Sequence, residues 1–179
     1  MAAYVTPETT VCLDVGANEV WAHSLLPVTG VHSQIGASNW AGMGGAMPAL
    51  VGAGIARPDV PRLGVCGDGG LLMALGEYRT LLEAGGRCVL VVVNDSAFGI
   101  IERFQRDAFG VGYGTSLGPT DFASIAASFG GRGIRVETAD ELERALGQAF
   151  AATDVVLLDV RTVAGEPFLS RMLSPSLTG

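Results

Sequence analysis

Five short apolar runs, at residues 11–15, 63–66, 89–94, 134–137 and 155–160, constrain this chain before any motif is considered. Each is rich in β-branched residues and continuously apolar rather than alternating. That is the pattern of a parallel strand covered on both faces. Helix-length stretches lie between them, at 43–56, 71–84, 121–129 and 139–152. Parallel strands need crossover connections, so the alternation predicts one doubly wound α/β domain over residues 1–179, a mostly parallel sheet with helices on both faces. Local signals agree. Thr138 followed by Glu141 reads as a capping box, Thr120 stands where it would cap the helix at 121–129, and Gly85-Gly86 would stop the helix before it. Residues 170–179, rich in Ser and Pro, read as a loose tail.

Composition narrows the partners. The chain is 49% hydrophobic and 16% charged, which favours a large core over disorder. Its net charge is −7, with no run of Lys or Arg, which argues against nucleic acid and against an anionic membrane surface. No apolar run approaches the roughly 18 residues of a membrane span, and no signal peptide is evident, so the expectation is a cytoplasmic protein. Cys12, Cys66 and Cys88 are widely spaced and lack metal-ligand spacing; they read as reduced core residues. An anion bound by such a chain must be held by backbone N–H groups or by a metal.

Ligands in open α/β sheets sit beyond the carboxyl ends of the strands. The run at 63–66 is followed there by Gly67-Asp68-Gly69-Gly70, a glycine turn whose backbone N–H groups can face a phosphate. A bare phosphate would repel Asp68, so the turn makes sense if a cation lies between them. The run at 89–94 ends in Asn94-Asp95-Ser96-Ala97-Phe98-Gly99. One helix and one strand separate Asp68 from Asp95, which places both at the same edge of the sheet. Two carboxylates and a loop carbonyl form a hard oxygen site suited to Mg²⁺ or Ca²⁺. Taken singly, Asp-Gly-Gly is often only a turn and Asn-Asp only a cap; together, in order and after two buried strands, they point to a metal. Dinucleotide binding fits poorly. Gly42-Met43-Gly44-Gly45 lacks the G-x-G-x-x-G order, the loop at Gly16-Ala17-Asn18 has one glycine, and a Walker sequence is absent.

Gly67-Asp68-Gly69 followed by Asn94-Asp95 resembles the signature of thiamine-diphosphate enzymes. Asp14-Val15-Gly16 with Trp21-Ala22 is similar to the opening of the diphosphate-binding domain in acetolactate synthase and its relatives. Ala41-Gly42-Met43-Gly44 with Pro48 looks like the family's stretch beside the aminopyrimidine ring, and Phe98-Gly99-Ile100-Ile101 resembles its segment after the metal loop. The resemblance implies thiamine diphosphate and Mg²⁺ as cofactors. Asp68 and Asp95 would be side-chain metal ligands, and Ala97 would offer its carbonyl. Gly67, Gly69 and Gly70 would cradle the diphosphate, with Gly16 and Asn18 bordering it, although relatives often carry Gln-His where this chain has Ala17-Asn18. Met43 would be the apolar wedge that bends the cofactor, and Ala41 would accept from its amino group. Phe98, Gly99 and Ile100 would complete the wall.

The implied reaction is decarboxylation of a small 2-oxo acid, releasing an aldehyde or passing the acyl unit to a second carbonyl. Ile101 occupies a position where simple pyruvate-decarboxylase relatives have glutamate, which looks like the acetolactate-synthase and benzoylformate-decarboxylase side of the family. In these enzymes an activating glutamate lies on a separate pyrimidine-binding domain. Residues 71–76 are similar to the corresponding helix in the small subunits of two-subunit sulfopyruvate and phosphonopyruvate decarboxylases. The resemblance therefore implies a partner subunit carrying the glutamate, in a heterodimer-based assembly such as a heterotetramer. A catalytically silent scaffold subunit is the alternative, and retention of both metal ligands speaks against it. His23 falls in the first helix region, and His32 is a candidate for contact with substrate. Glu102, Arg103, Gln105 and Arg106 read equally as a channel wall, a partner interface or an exposed face.

Overall fold

A computed structural model describes residues 1–31, 33–36 and 39–163. A 3₁₀ turn at Ala2–Tyr4 precedes β1 (Thr10–Leu13), α1 (Ala17–Leu25), β2 (Gln34–Gly36), α2 (Ala46–Ala56) and β3 (Arg62–Gly67). There follow α3 (Asp68–Met73), α4 (Glu77–Ala84), β4 (Cys88–Asn94), α5 (Gly99–Phe109), α6 (Phe122–Ser128), β5 (Arg132–Val136), α7 (Ala139–Ala151) and β6 (Val155–Arg161). The strands form one six-stranded sheet in the order β2-β1-β3-β4-β6-β5, and every pairing in it is parallel. The expected α/β architecture is the observed one.

Strand periodicity divides the core. Cys88, Leu90 and Val92 of β4 face one side, where they meet α2, α3, α4 and α6. Val89 and Val91 face the other and meet α1 and α7. Both faces are covered, which is why the strands read as unbroken apolar runs. All three cysteines are buried and free, and burial pushes the thiols of Cys12 and Cys88 up to about 12, far from the reactive thiolate. Among the described residues no helix is long and apolar enough to cross a membrane.

Several boundaries differ from expectation. The helix expected at 71–84 is two: α3 starts three residues earlier, so the glycine turn is itself helical, and the chain breaks at 74–76 before α4. The helix expected from residue 43 starts at Ala46, because Ala41 and Gly44 adopt positive φ (54° and 87°) and hold 41–45 as a loop. Asp121, not Thr120, caps α6: its carboxylate accepts from Ser124 N at 2.8 Å, while the Thr120 carbonyl is used elsewhere. The capping box at Thr138 and Glu141 is present as expected, and Gly85 and Gly86, both at positive φ, follow α4. The tail at 170–179 lies outside the described residues.

The chain runs from β1 outward to β2, then returns to place β3 on the other side of β1. Strand order therefore reverses between β1 and β3, where a crevice opens at the carboxyl ends.

Candidate functional site

The crevice is built from three strand ends. At β1, Asp14 is 1% exposed, and its two carboxylate oxygens accept from Gly44 N and Gly45 N, each at 3.0 Å. Burial raises this carboxyl while those amides act the other way. The bonds pin the 41–45 loop across the end of β1. Asn18 Nδ2 donates to the Asp14 carbonyl at 2.7 Å, so the first turn of α1 is tied to the same point. A Cβ on Gly70 would lie 1.9 Å from Asp14 Oδ2, so only glycine lets α3 approach. Asp14 is thus a site residue that sequence reading placed only within an opening segment. Its signal was a carboxylate at the end of a buried strand with a glycine loop elsewhere to receive it.

At β3 and β4 the two acidic strand ends converge. The strands pair in parallel with Gly67 opposite Val93, so Asp68 and the 94–95 step emerge at one level. Asp68 is buried, and its carboxyl is pushed up to about 6. Burial is the main cause and the charge of Asp95 adds to it; the amides of Gly69 (2.8 Å), Ser96 and Ala97 oppose the shift. The Asp95 carboxyl is raised by burial and by Glu102, against the Ala97 amide at 3.2 Å. Among the described residues neither carboxylate is ion-paired, and no group of three His, Cys, Asp or Glu side chains is placed to hold a metal. A cation here would take two carboxylates, and its other ligands would be carbonyl, water or ligand oxygens.

These groups border one cleft of about 340 Å³. Of the residues singled out in the sequence, Gly16, Asn18, Ala41, Met43, Gly67, Asp68, Gly69, Gly70, Asp95, Ala97, Phe98, Gly99 and Ile100 all line it. His32 lies outside the described residues. A Cβ on Gly69 would come within 2.5 Å of the Phe98 ring and 3.2 Å of Met43 Cε, so Gly69 floors the cleft beneath these two apolar groups. Ala41 and Ser96, at φ 54° and 58°, are the non-glycine residues of positive φ among those described. Both sit in loops at the rim, where such strain tends to gather in binding sites.

The cleft's other neighbours are less polar. Trp21, Ile101 and Phe104 line it, and α5 buries none of its residues. On the exposed face of α5, Glu102 pairs with Arg106 at 2.6 Å and Arg103 with Asp107 at 3.2 Å, while Gln105 accepts from Tyr113 N. His23 lies on α1, with Nε2 at 3.5 Å from Glu19 and Nδ1 at 3.1 Å from Gln34 Oε1.

Comparison with known proteins converges on the same region. Residues 14–160 match the model of the thiamine pyrophosphate enzyme, C-terminal TPP binding domain. A putative thiamine pyrophosphate-containing protein, YdaP, of Bacillus subtilis is 31% identical over 155 residues, covering 87% of this chain and 27% of that protein. An acetolactate synthase large subunit of Parasynechococcus marenigrum is 31% identical over 165 residues, covering 90% of this chain and again 27% of the relative. The chain thus spans about a quarter of the length of these curated relatives. A thiamine diphosphate-dependent 4-hydroxybenzoylformate decarboxylase from Rhodococcus jostii superposes with a TM-score of 0.82 at 24% identity, over 92% of this chain and 31% of that one, which is a likeness of fold.

Proposed function

The chain belongs to the thiamine pyrophosphate enzymes, as their C-terminal cofactor-binding domain, and from that premise we propose that it holds Mg²⁺ and thiamine diphosphate for decarboxylation of a small 2-oxo acid. The observation that carries this reading is the convergence of a buried carboxylate, Asp68, and a half-buried one, Asp95, neither ion-paired among the described residues, beside a glycine turn at the switch point of a parallel sheet. The residues fit the group. An acidic chain can bind a diphosphate only through a cation and backbone amides, and the cleft offers places for both.

Asp68 and Asp95 would hold the metal, with the Ala97 carbonyl as a third donor. The Gly70 amide would face the diphosphate, and so would that of Gly69 once a cation occupies the Asp68 carboxylate it now faces. Gly16 and Asn18 would border the diphosphate from β1. Met43, level with Phe98 over Gly69, would present the apolar surface over which the cofactor folds. Ala41 would accept from the cofactor's amino group through its carbonyl. Once bound, the cofactor supplies an electron sink for the carbon–carbon bond being broken. The protein's contribution would be to hold it in a fixed orientation, in a cleft whose outer wall of Trp21, Ile101 and Phe104 is apolar.

The cofactor's other half needs a partner surface. Trp40 is 90% exposed and Tyr113 87%, and Phe104 and Phe109 of α5 are exposed as well. Phe104 lines the cleft, and exposed apolar groups of this size can mark an interaction site. Its proposed occupant is a pyrimidine-binding subunit carrying the activating glutamate, in a heterotetramer-like assembly. Acetolactate formation and aldehyde release both follow from this arrangement, and the substrate side of the partner decides between them.

The test is a titration of thiamine diphosphate into the chain with and without Mg²⁺, followed by the fluorescence of Trp21, which lines the cleft. The same mixture is then assayed for CO₂ release from several 2-oxo acids in the presence of the partner. Saturable, Mg²⁺-dependent quenching that Asp68→Ala abolishes is the expected result. Binding that survives both chelation and Asp68→Ala would rule out the assignment.

A further inference from the structure

A further buried carboxylate lies away from the cleft lining, on the strand next to β4. Asp159 of β6 is fully buried. One of its oxygens accepts from Asn94 Nδ2 at 2.8 Å; the other accepts from Phe122 N at 3.0 Å and has Arg161 Nη2 at 3.4 Å. Asn94 is itself 1% exposed and immediately precedes Asp95. Its Nδ2 donates a second time, to the Thr120 carbonyl at 3.0 Å, so both amide hydrogens are committed. Its Oδ1 therefore points the other way and accepts from Ser96 N at 3.3 Å.

Ionised carboxylate oxygens only accept. Asp159, together with the Thr120 carbonyl, thus sets which end of the Asn94 amide faces inward, and so which end faces the loop. Ser96 sits at φ 58°, a conformation disfavoured for a residue with a Cβ. The bond from its N–H to Asn94 Oδ1 offsets part of that strain. Ala97, the next residue, donates its amide to Asp95 Oδ1 at 3.2 Å. Resting on the cofactor reading above, we propose that Asp159 is a positioning residue: through Asn94 it locks the 95–97 loop in the conformation that brings Asp95 and Asp68 to one divalent cation. Asp159 touches neither the cleft nor any group proposed to bind there.

The test uses Mg²⁺ with inorganic pyrophosphate, a probe that engages only this chain's half of the site, and measures binding by calorimetry beside the melting temperature. Asp159→Asn keeps shape but no longer dictates the amide orientation; it is expected to raise the Mg²⁺ needed for half-saturation by roughly 10- to 100-fold, the usual cost of losing a group that orients a metal ligand. Asn94→Ala should reproduce that loss. The double variant should bind no more weakly than Asn94→Ala alone, because the two residues act in series. This cycle also covers the case in which Asp159→Asn lowers the melting temperature, since a purely structural role would shift melting and leave the Mg²⁺ requirement where it was. Wild-type Mg²⁺ dependence in both single variants, or additive losses in the double, overturns the proposal and leaves the cofactor reading intact. Failure of the wild-type chain to bind Mg²⁺-pyrophosphate overturns both.

Discussion

Strand β3 carries a buried charge at each end, and the two ends treat it in opposite ways. At the amino end Arg62 is 1% exposed; its guanidinium donates to the Leu50 carbonyl at 3.0 Å and to that of Gly85 at the end of α4. Gly54 leaves the room this needs, since a Cβ there would sit 2.1 Å from Nη1. The cation is held by dipoles of its own chain. At the carboxyl end Asp68 faces a second carboxylate and only a few amides, and its carboxyl rises to about 6, chiefly because it is buried and further because of the Asp95 charge. One end is closed by carbonyls of its own chain, although Arg62 Nε has no partner among the described residues, and it supports the fold. The other is open, with two carboxylates that lack a positive partner among the described residues, and on that imbalance the binding proposal rests.

Substitutions at three positions test the contrast, in falling order of effect. Asp68→Ala should weaken Mg²⁺-dependent thiamine diphosphate binding at least 100-fold, about 3 kcal/mol, while the ligand-free chain melts no lower than wild type. Retained binding measured by calorimetry would erase the difference between the two ends. Arg62→Ala should do the reverse: it orphans two carbonyls and leaves a cavity, for a loss of about 3 kcal/mol. Melting should then fall by roughly 6–12 °C with cofactor affinity of the folded protein unchanged. Arg62→Met refills the volume but not the bonds, so a melting temperature equal to wild type would show that the carbonyls never depended on Arg62. Gly70→Ala forces a Cβ against Asp14 and disturbs the anchor of the 41–45 loop. It should cost about tenfold in affinity, about 1.4 kcal/mol, and an unchanged affinity would detach Asp14 from the site.

The open end was the more legible of the two. Asp68 and Asp95 stand out because each directly follows a buried apolar run, and a carboxylate there needs a reason. Thr138 and Glu141 announced their helix because a capping box is local chemistry. What stayed hidden depends on tertiary placement. Arg62 opens a strand, where an arginine ordinarily reaches solvent, and only the packing of α2 and α4 over it makes it internal. Asp14 became a site residue only once the 41–45 loop was known to cross β1. The break at 74–76 is masked by an apolar stretch that continues through it, and β2 is three residues long and begins with Gln34. Asp121 displaced Thr120 as cap because α6 starts one residue later than expected, which puts the Asp121 carboxylate within reach of Ser124 N.

The smallest effect is a pH dependence that separates the ends without mutation. The slope comes from the carboxylates of the open end. Asp68 has a folded pKa of about 6, above its ordinary value, so the folded chain binds this proton more tightly than the unfolded chain does. The associated stability is present in full below the ordinary carboxylate range and is lost as pH rises through about 6. Burial raises Asp14 and Asp95 in the same direction. The ligand-free chain should therefore melt higher at pH 5 than at pH 7.5, and Asp68→Asn should remove much of that difference. Saturating Mg²⁺ and thiamine diphosphate turn the logic over, because a cation on Asp68 holds its folded pKa below the unfolded value and stability then falls on acidification. A melting curve with the same pH slope with and without Mg²⁺ and cofactor would mean that the cation does not meet Asp68, and the open end of β3 would be no more a binding site than the closed one.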